Sequence, residues 1–340
     1  MINPERFRYV RILFITILFI FIMIYISLTS GTFDLTIREV FNTLLRLNSS
    51  PEHDAVIFDF RLPRILLAGL VGFALGIAGA VVQGITRNGL ADPGILGINA
   101  GAGAAIVVFM FFFQYQISDT GWQAIMIQPL FGLIGGIVAT TLIYFFSWKA
   151  GRIEPQRLLL SGIAISSGFG AFTVFLSLKM KATDFEMATV WISGSVYNAN
   201  WHYILSIFPW LFLLIPIIFR KAYLLDLFQL EETSLKNLGV SVEKEQSILL
   251  LSSVGLVSAC VSVSGSIGFI GLMSPHIAKQ LVGIKHRYAL PISGIIGALL
   301  VITSDYIAKS IFSPIELPVG IVISIVGVPY FLYLLIKVKK

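Results

Sequence analysis

Long apolar runs without a single charged residue recur along the chain, and short polar stretches separate them. A helix rises about 1.5 Å per residue, so roughly 20 apolar residues cross a hydrocarbon core of about 30 Å. The pattern therefore predicts ten membrane-spanning helices. Their windows are 12–28, 65–86, 93–113, 122–147, 158–178, 203–219, 246–264, 267–282, 288–308 and 317–336.

The break between the seventh and eighth windows follows from length alone. The sequence runs from Gln246 to Ala278 without a charge, which is far more than one crossing requires. We predict that this run breaks at Ser264-Gly265-Ser266 into two helices. The prediction is an all-α membrane protein with about ten transmembrane helices.

Composition supports this fold class. Of the 340 residues, 56% are hydrophobic and only 12% are charged, whereas soluble domains carry roughly 25% charged residues. We therefore expect residues 1–340 to form a single transmembrane domain. The net charge of +6 does not indicate a nucleic-acid partner, because the basic residues lie between apolar runs. The single cysteine, Cys260, lies in an apolar run, which indicates a small core side chain and excludes a disulfide framework.

The basic residues are distributed unevenly between the two sides that ten spans would define. With a cytoplasmic N-terminus, the N-terminal region, the loops near 87, 150, 220–245 and 285, and the C-terminus share one side, and together they hold 17 of the 24 Lys and Arg residues. The positive-inside rule then predicts that both termini are cytoplasmic. The window 12–28 also resembles the core of a cleaved signal peptide, but its length favours an uncleaved first span.

Glycines recur at helical spacing in two of the predicted spans. The two sets are Gly72, Gly76 and Gly79, and Gly132, Gly135 and Gly136. Small residues three or four apart share one helix face and let two backbones approach closely within a bilayer. We predict that both sets are packing faces.

The chain lacks the motifs of the common hydrolytic chemistries. It contains no phosphate-binding G-x-x-x-x-G-K-[ST] loop, no H-E-x-x-H zinc motif and no nucleophile elbow. Ionisable residues within the spans are few, and Asp305 and Lys279 lie near predicted helix ends. An ion-coupled secondary transporter is expected to carry such groups at mid-membrane, so the pattern favours an external source of energy.

The largest internal polar segment is 220–245, RKAYLLDLFQLEETSLKNLGVSVEKE. Its leucines and Phe228 are spaced to give amphipathic turns. An amphipathic helix without a span of its own needs a surface to cover. That surface is either a soluble partner or the helix bundle and lipid interface of the chain itself, and the residues leave both open.

Six motifs occur in order along the chain. They are Arg61-Leu62-Pro63-Arg64, Gln83 with Asn88 to Gly97, RLLLSG from Arg157 to Gly162, Trp191 with Gly194, GSIGFIGLMSPHIAK from Gly265 to Lys279, and Glu316-Leu317-Pro318-Val319-Gly320. One of them alone would be weak evidence, whereas all six in order are specific. On these motifs the chain resembles, over about 61–335, a permease subunit of the ABC importers for iron-siderophores, haem and cobalamin.

The resemblance implies a type II ABC importer permease bundle in a bacterial plasma membrane. It implies three kinds of protein partner: a second permease, identical or related, two ATPase subunits, and an extracellular or lipid-anchored solute-binding protein. ATP and Mg would bind to the ATPase subunits. The chain itself is then expected to bind no cofactor and no metal and to catalyse no reaction.

The function that the resemblance implies is ATP-driven uptake of iron(III)-siderophore complexes. A cobalamin or haem importer of the same architecture is the alternative within this class. A secondary transporter that works without an ATPase is the alternative outside it. The residues do not distinguish the three kinds of substrate.

The family's docking residues match basic positions on the predicted outer side. Arg61, Arg64 and Lys309 match residues that pair with carboxylates of the binding protein. For the two arginines, anchoring at the lipid head groups is the alternative.

The resemblance also assigns residues on the predicted inner side. The segment 220–245 matches the family's coupling helices, with Glu231, Glu232 and Gly239 near the ATPase. Two loops match the cytoplasmic gate, and the gate residues are Asn88, Leu90, Glu154, Pro155 and Gln156. Gly89 replaces a proline that is usual in the first of these loops, which removes a constraint on the turn.

The fifth span is the predicted wall of the pore. It carries Ser161, Ser166, Ser167 and Gly168. Hydroxyl groups can hydrate a path without introducing charge, so these four residues are the candidates for pore lining.

Overall fold

The computed structural model of the chain describes residues 4–31, 33, 35–47, 50–113, 122–149, 152–237, 239–311 and 315–338. Its helices, in chain order, are α1 Pro4–Thr29, α2 Ile37–Leu44, α3 Pro51–Asp54, α4 Leu62–Thr86, α5 Ile98–Phe112, α6 Trp122–Ser147, α7 Pro155–Ser177, α8 Ala182–Ile192, α9 Trp201–Arg220, α10 Ala222–Leu227, α11 Glu232–Asn237, α12 Val242–Ser264, α13 Ile270–Val282, α14 His286–Ile311 and α15 Val319–Val338. A π-helical stretch, Ala55–Arg61, leads into α4, and a 3₁₀ turn, Pro93–Leu96, precedes α5. Two short strands, β1 Trp148–Lys149 and β2 Arg152–Ile153, pair antiparallel between α6 and α7.

The helices α1, α4 to α7, α9 and α12 to α15 correspond to the ten predicted windows. Within the described residues, eight helices are long and apolar enough to cross a membrane. The two others, α5 and α13, have 15 and 13 residues. At about 1.5 Å per residue they are roughly 20 Å long, which is shorter than a hydrocarbon core. The all-α fold class is confirmed, and ten is an approximate count of crossings.

The long uncharged run breaks where the sequence predicts. Helix α12 ends at Ser264, and Gly265 has a positive φ of 66°. A Cβ atom on Gly265 would lie 1.9 Å from the carbonyl oxygen of Trp191, so this position requires glycine both for its φ and for the close approach. Helix α13 begins at Ile270, slightly later than predicted, because Phe269 before it takes a left-handed conformation.

Helix α4 lies at the centre of the bundle, and one of its faces consists of small residues. A Cβ atom on Gly72 or on Gly76 would lie 2.3 Å from a carbonyl oxygen of α14. A Cβ atom on Gly79 would lie 2.0 Å from the carbonyl oxygen of Gly271 on α13. These backbones are in direct contact, and the predicted packing role of the three glycines is confirmed.

The second glycine set has the same role between α6 and its neighbours. A Cβ atom on Gly135 would lie 2.3 Å from the carbonyl oxygen of Gly101 on α5. Gly132 and Gly136 face α12 at Ser262 and Ser258. Both predicted packing faces are therefore helix–helix contacts.

Contacts between loops define one end of the bundle, which we name the Asp226 end. Asp226 on α10 accepts from the backbone N–H of the first residue of α14 at 2.9 Å. Beside this bond, Lys285 Nζ lies 2.6 Å from Glu5 Oε2, and Arg87 donates to the carbonyl oxygen of Leu230 at 2.7 Å. The beginning of α1 and the loops after α4, α10 and α13 therefore lie together. These are regions that the distribution of basic residues assigns to one side.

The opposite end is named the Arg64 end. There Lys309, near the end of α14, donates to Ser27 Oγ near the end of α1 at 2.7 Å. Arg61 donates to the carbonyl oxygen of Leu28 on the same helix. Helices α1, α4 and α14 thus meet at the Arg64 end.

Replacing Gly79 by alanine is expected to destabilise the protein, because the new Cβ atom would overlap the backbone of α13. Overpacking of this kind typically costs about 1–3 kcal/mol. Gly69→Ala is the matched control on the same helix, because its Cβ atom would meet only Cδ1 of Ile302 at an ordinary 3.4 Å. Thermal unfolding of the two detergent-solubilised variants measures the difference. Equal unfolding midpoints for both variants would contradict the packing role of Gly79.

Candidate functional site

Arg64, in the first turn of α4, is the centre of a charged cluster at the Arg64 end. Its Nη2 atom donates to Oδ1 of Asp305 on α14 at 2.8 Å, and its Nε atom lies 3.0 Å from both oxygens of that carboxylate. Its Nη1 atom donates to Oε2 of Glu316, before α15, at 2.7 Å. The Arg64 side chain is 13% exposed and that of Asp305 is 2% exposed. The buried bidentate ion pair joins α4 to α14, and the bond to Glu316 adds the segment before α15.

The other two predicted docking residues are also bonded within the chain. Arg61 donates through its two terminal nitrogens to the carbonyl oxygens of Leu28 and Phe33. Lys309 Nζ donates to the hydroxyl of Ser27 at 2.7 Å and to its carbonyl oxygen at 3.2 Å. The structure thus brings the three basic residues to one end. It also gives each of them internal partners that the sequence did not reveal.

The loop after α4 contains the first predicted gate residues. It forms a turn that Asn88 closes. Asn88 accepts from the N–H of Leu90 through Oδ1 at 3.0 Å and from the N–H of Ala91 through its carbonyl oxygen at 3.1 Å. Leu90 packs against an apolar cluster that includes Met273 of α13. Gly89 has no positive φ, and a Cβ atom there would meet nothing within 4 Å. The turn therefore does not require glycine at this position.

Asp92 joins the same loop to α13. Its Oδ1 atom accepts from the N–H of Gly94 at 3.0 Å, and its Oδ2 atom accepts from the N–H of Phe269 at 3.3 Å. Phe269 has a positive φ of 64°, which is rare for a bulky residue, and immediately precedes α13. Burial raises the pKa of Asp92, whereas the two N–H donors favour its ionised form. A carboxylate at this place also suits the positive end of the α13 dipole.

The second predicted gate loop leads into α7. Pro155 is the first residue of that helix. A backbone N–H at this position would have no partner within the helix, so proline, which lacks one, loses no hydrogen bond there. Glu154 Oε2 lies 3.0 Å from Arg157 Nε, and Gln156 is exposed. These are local interactions at the beginning of a helix, and a gating role for the three residues stays a prediction.

A cavity of about 840 Å³ lies between α5, α7, α8, α13 and α15. Ligand pockets of roughly 300–1,000 Å³ accommodate drug-sized molecules. Among the described residues that line it, Asp92 is the one ionisable group. The hydroxyl-bearing residues in its wall are Ser166, Thr173, Ser177, Thr189, Ser193 and Ser266. The cavity is therefore largely uncharged, with scattered hydrogen-bonding groups.

Helix α7 presents one face to this cavity. Ser166, Gly170, Thr173 and Ser177 line it, and they are four, three and four residues apart. That spacing places them on one side of the helix. Of the predicted pore residues, Ser166 lies on this face. Gly170, Thr173 and Ser177 were missed, although counting in helical steps from Ser166 finds them.

The remaining predicted pore residues lie elsewhere on α7. Ser161 Oγ lies 2.9 Å from Ser147 Oγ on α6, and the hydroxyl of Ser167 donates to the carbonyl oxygen of Ile163 at 2.9 Å. A Cβ atom on Gly168 would meet nothing within 4 Å. The structure does not place these three beside Ser166 in the cavity wall, so their pore role stays a prediction.

The segment 220–245 contains two short helices, α10 and α11, before α12 begins. Its apolar side chains Leu224, Phe228 and Leu235 are buried in the main core, whereas Leu230 is 45% exposed. The apolar face thus covers the protein's own bundle, which is one of the two surfaces that the amphipathic pattern allowed.

The predicted coupling residues lie on the outer side of this segment. Glu231 is exposed, and Gly239 is exposed with a φ of 78° and open space around it. Glu232 is the first residue of α11, and its side chain lies outside the described part of the chain. A polar surface at the Asp226 end is therefore open to a soluble partner.

An apolar bundle around an uncharged cavity, with a charged cluster at one end and an exposed polar segment at the other, defines a multi-pass membrane permease. Comparison with protein families agrees with this class. The chain belongs to the FecCD transport family, whose model matches residues 17–337. It is a permease subunit of an ABC importer.

Individual relatives match almost the whole chain. The iron-uptake system permease protein FeuC of Bacillus subtilis strain 168 is 53% identical over 321 residues, which are 94% of this chain and 96% of the relative. The iron(3+)-hydroxamate import system permease protein FhuG of the same strain is 42% identical over 323 residues, 95% and 96% of the two chains. A solved structure described as a metal-chelate type ABC transporter in an inward-facing conformation gives a TM-score of 0.82 at 31% identity, covering 96% of this chain and 99% of its own. These comparisons confirm the fold class and the permease function.

Arg64→Ala is expected to destabilise the protein strongly, because it leaves the buried carboxylate of Asp305 without its counter-charge. Removing one partner of a buried ion pair typically costs about 3–5 kcal/mol. The double variant Arg64→Ala with Asp305→Asn should recover much of this loss, since no uncompensated charge then remains at that position. Chemical unfolding in detergent measures both variants. A single variant as stable as the unmodified protein would contradict the buried pair.

Gly89→Pro is expected to stabilise the protein by about 0.4–1 kcal/mol, because proline suits the second position of a turn and restricts the unfolded chain. Gly239→Pro is the matched control. Both positions have open space, but Gly239 has a φ of 78°, which the proline ring cannot adopt. Thermal unfolding should therefore show opposite shifts for the two variants. A lower midpoint for Gly89→Pro would mean that this turn needs the freedom of glycine.

Proposed function

We propose that the chain is the membrane path of an ATP-driven importer that takes up iron(III)-siderophore complexes. The observation that carries this proposal is the cavity of about 840 Å³, which has room for a whole chelate and, among the described lining residues, a single carboxylate. A path with so little fixed charge suits a complexed metal better than a bare cation. The relatives named for iron and for iron(3+)-hydroxamate support this substrate class.

Two separate ATPase subunits supply the energy and bind ATP and Mg, and the chain itself holds no cofactor and hydrolyses nothing. The absence of a phosphate-binding loop from the sequence supports this division of labour. The scarcity of ionisable residues within the spans also favours an external energy source over an ion gradient.

A second permease, identical or related, completes the path. Helix α7 lines the cavity with one face and exposes large apolar side chains on others, among them Ile163 and Phe175. An apolar face beside a half-enclosed cavity supports pairing through α7. In such a pair, Ser161, Ser167 and Gly168 contribute to the wall that the two chains share.

The Arg64 end is extracellular and receives a solute-binding protein. Glu316 is 30% exposed, whereas Asp305 is buried, so a carboxylate of the binding protein can replace Glu316 beside Arg64. Arg61 and Lys309 extend the basic surface around this point. Exposed pairs of this kind add only about 0.2–1 kcal/mol each, and they mainly orient the encounter.

The Asp226 end is cytoplasmic and carries both termini, in a bacterial plasma membrane. The excess of Lys and Arg in its loops supports this orientation. The ATPase subunits contact the exposed side of the 220–245 segment, at Glu231, Glu232 and Gly239.

The cytoplasmic gate is formed by the loops at Asn88 to Leu90 and at Glu154 to Gln156. The first loop is supported by its contacts with α13, which relate it to the cavity through Asp92. The second stands at the beginning of α7, the helix that lines the cavity.

Proteoliposomes that contain the permease with and without its ATPase test this function. Radioactive iron supplied as a ferric trihydroxamate on the binding protein should accumulate only with the ATPase and ATP, and an ATPase without its phosphate-binding lysine should abolish accumulation. Labelled haem and cobalamin serve as competing substrates. Iron uptake by the permease alone would favour a secondary transporter, and preferential uptake of haem or cobalamin would replace the proposed substrate.

A further inference from the structure

Asp226, on α10, binds the first residue of α14. Its Oδ1 atom accepts hydrogen bonds from the backbone N–H of His286 at 2.9 Å and from the ring Nδ1 at 2.7 Å. Because a carboxylate only accepts, Nδ1 carries the ring proton in this contact. The 220–245 segment thus supplies a capping carboxylate to a membrane-spanning helix that follows it by about 60 residues.

The His286 ring is held between α10 and α4. Its side chain is 4% exposed, and Nε2 is buried with no hydrogen-bond partner among the described residues. A Cβ atom on Gly84 of α4 would lie 3.2 Å from this Nε2 atom and 3.0 Å from Cδ2 of Leu225 on α10. The ring therefore has little room to move between the two helices.

From His286, α14 runs through the bundle to Asp305, which binds Arg64 at the other end. Between these points the backbones of α14 and α4 touch, and a Cβ atom on Gly297 would lie 2.2 Å from a carbonyl oxygen of α4. Because these backbones are in direct contact, the two helices cannot slide past each other unless they first move apart. A movement of α10 that reaches His286 moves α4 and α14 as one body.

Helix α13 is bonded to the same body. Lys279 Nζ, near its end, donates to Oε1 of Gln83 on α4 at 3.2 Å. The amide of Gln83 donates to the carbonyl oxygens of Gly271 and Leu272, in the first turn of α13, at 3.4 and 3.3 Å. Helix α13, which lines the cavity at Leu272, therefore follows α4.

We propose that the bond between Asp226 and His286 is the contact through which the 220–245 segment moves the α4–α14 pair. Asp226 is then a positioning residue that couples ATP hydrolysis to transport. This inference rests on the proposed function, because it assigns a route between the ATPase surface and the cavity.

The test compares Asp226→Ala with Asp226→Asn in the complete transporter, reconstituted with its ATPase and binding protein. Asparagine keeps an oxygen that can accept both hydrogen bonds, whereas alanine removes it. The readout is the number of ferric trihydroxamate molecules imported per ATP hydrolysed, together with the amount of ATPase that co-purifies. We expect alanine to lower this ratio about fivefold or more, because about fivefold is the lower end of the typical coupling between two sites. The ATPase should still co-purify with this variant. Asparagine should keep the ratio near that of the unmodified transporter.

Glu5→Gln is the matched control. It removes the ion pair of the neighbouring Lys285 with α1, in which both side chains are about half exposed, and leaves the bond between Asp226 and His286 intact. The exposed pair is not a rigid link, so the transport ratio should not change.

An Asp226→Ala transporter that assembles and keeps the unmodified ratio would overturn the inference. If the alanine variant does not assemble, Asp226→Glu takes its place, since it keeps the charge and displaces it by one methylene. The glutamate variant is expected to lower the ratio. Failure of both variants to assemble would show a folding role and also overturn the inference. If the unmodified transporter shows no ATP-dependent uptake, the proposed function itself fails, and the inference falls with it.

Discussion

The close approach of α4 to α13 and α14 is the constraint on which the rest of the structure depends. Lipid tails solvate apolar side chains about as well as another helix does, so helices in a bilayer associate through close van der Waals contact. The glycines of α4 have no side chain at the positions where a Cβ atom would lie only 2.0 to 2.3 Å from a carbonyl oxygen of a neighbouring helix. With α4 fixed in this way, Arg64 near its beginning and Gln83 near its end reach partners on α14 and α13.

Features that depend on local composition or spacing could be predicted from the sequence. The break at Gly265 follows from the limited thickness of a membrane, and the glycine faces follow from the helical period. The partners of Arg64 could not be predicted, because Asp305 and Glu316 lie 241 and 252 residues away and nothing in their local sequence marks them as its counter-charges. Likewise, the bond from Asp226 to α14 depends on how separate helices pack.

In the candidate site, too, the sequence predicted some features, whereas others follow only from how the helices pack. The hydroxyl content of α7 predicted a pore wall, and Ser166 does line the cavity. Ser167 was predicted for its hydroxyl group alone, and it is not among the residues that line the cavity. Thr173 and Ser177 also carry hydroxyl groups, and they line the cavity because they share a helix face with Ser166. The coupling segment shows the limit of pattern analysis, because its amphipathic spacing allowed two surfaces and only the fold shows which one its apolar side covers.

Asp92 connects the gate prediction to the packing of α13. The first N–H groups of any helix lack partners within the helix, and a buried beginning makes that deficit costly. Asp92 provides an acceptor to Phe269 from the same loop that contains Asn88 and Leu90. Moving this loop alone would forfeit a capping interaction worth about 0.5–2 kcal/mol, so loop and helix are favoured to move together. Because Gln83 bonds the first turn of α13 to α4, opening at this loop is tied to movement of the central helix.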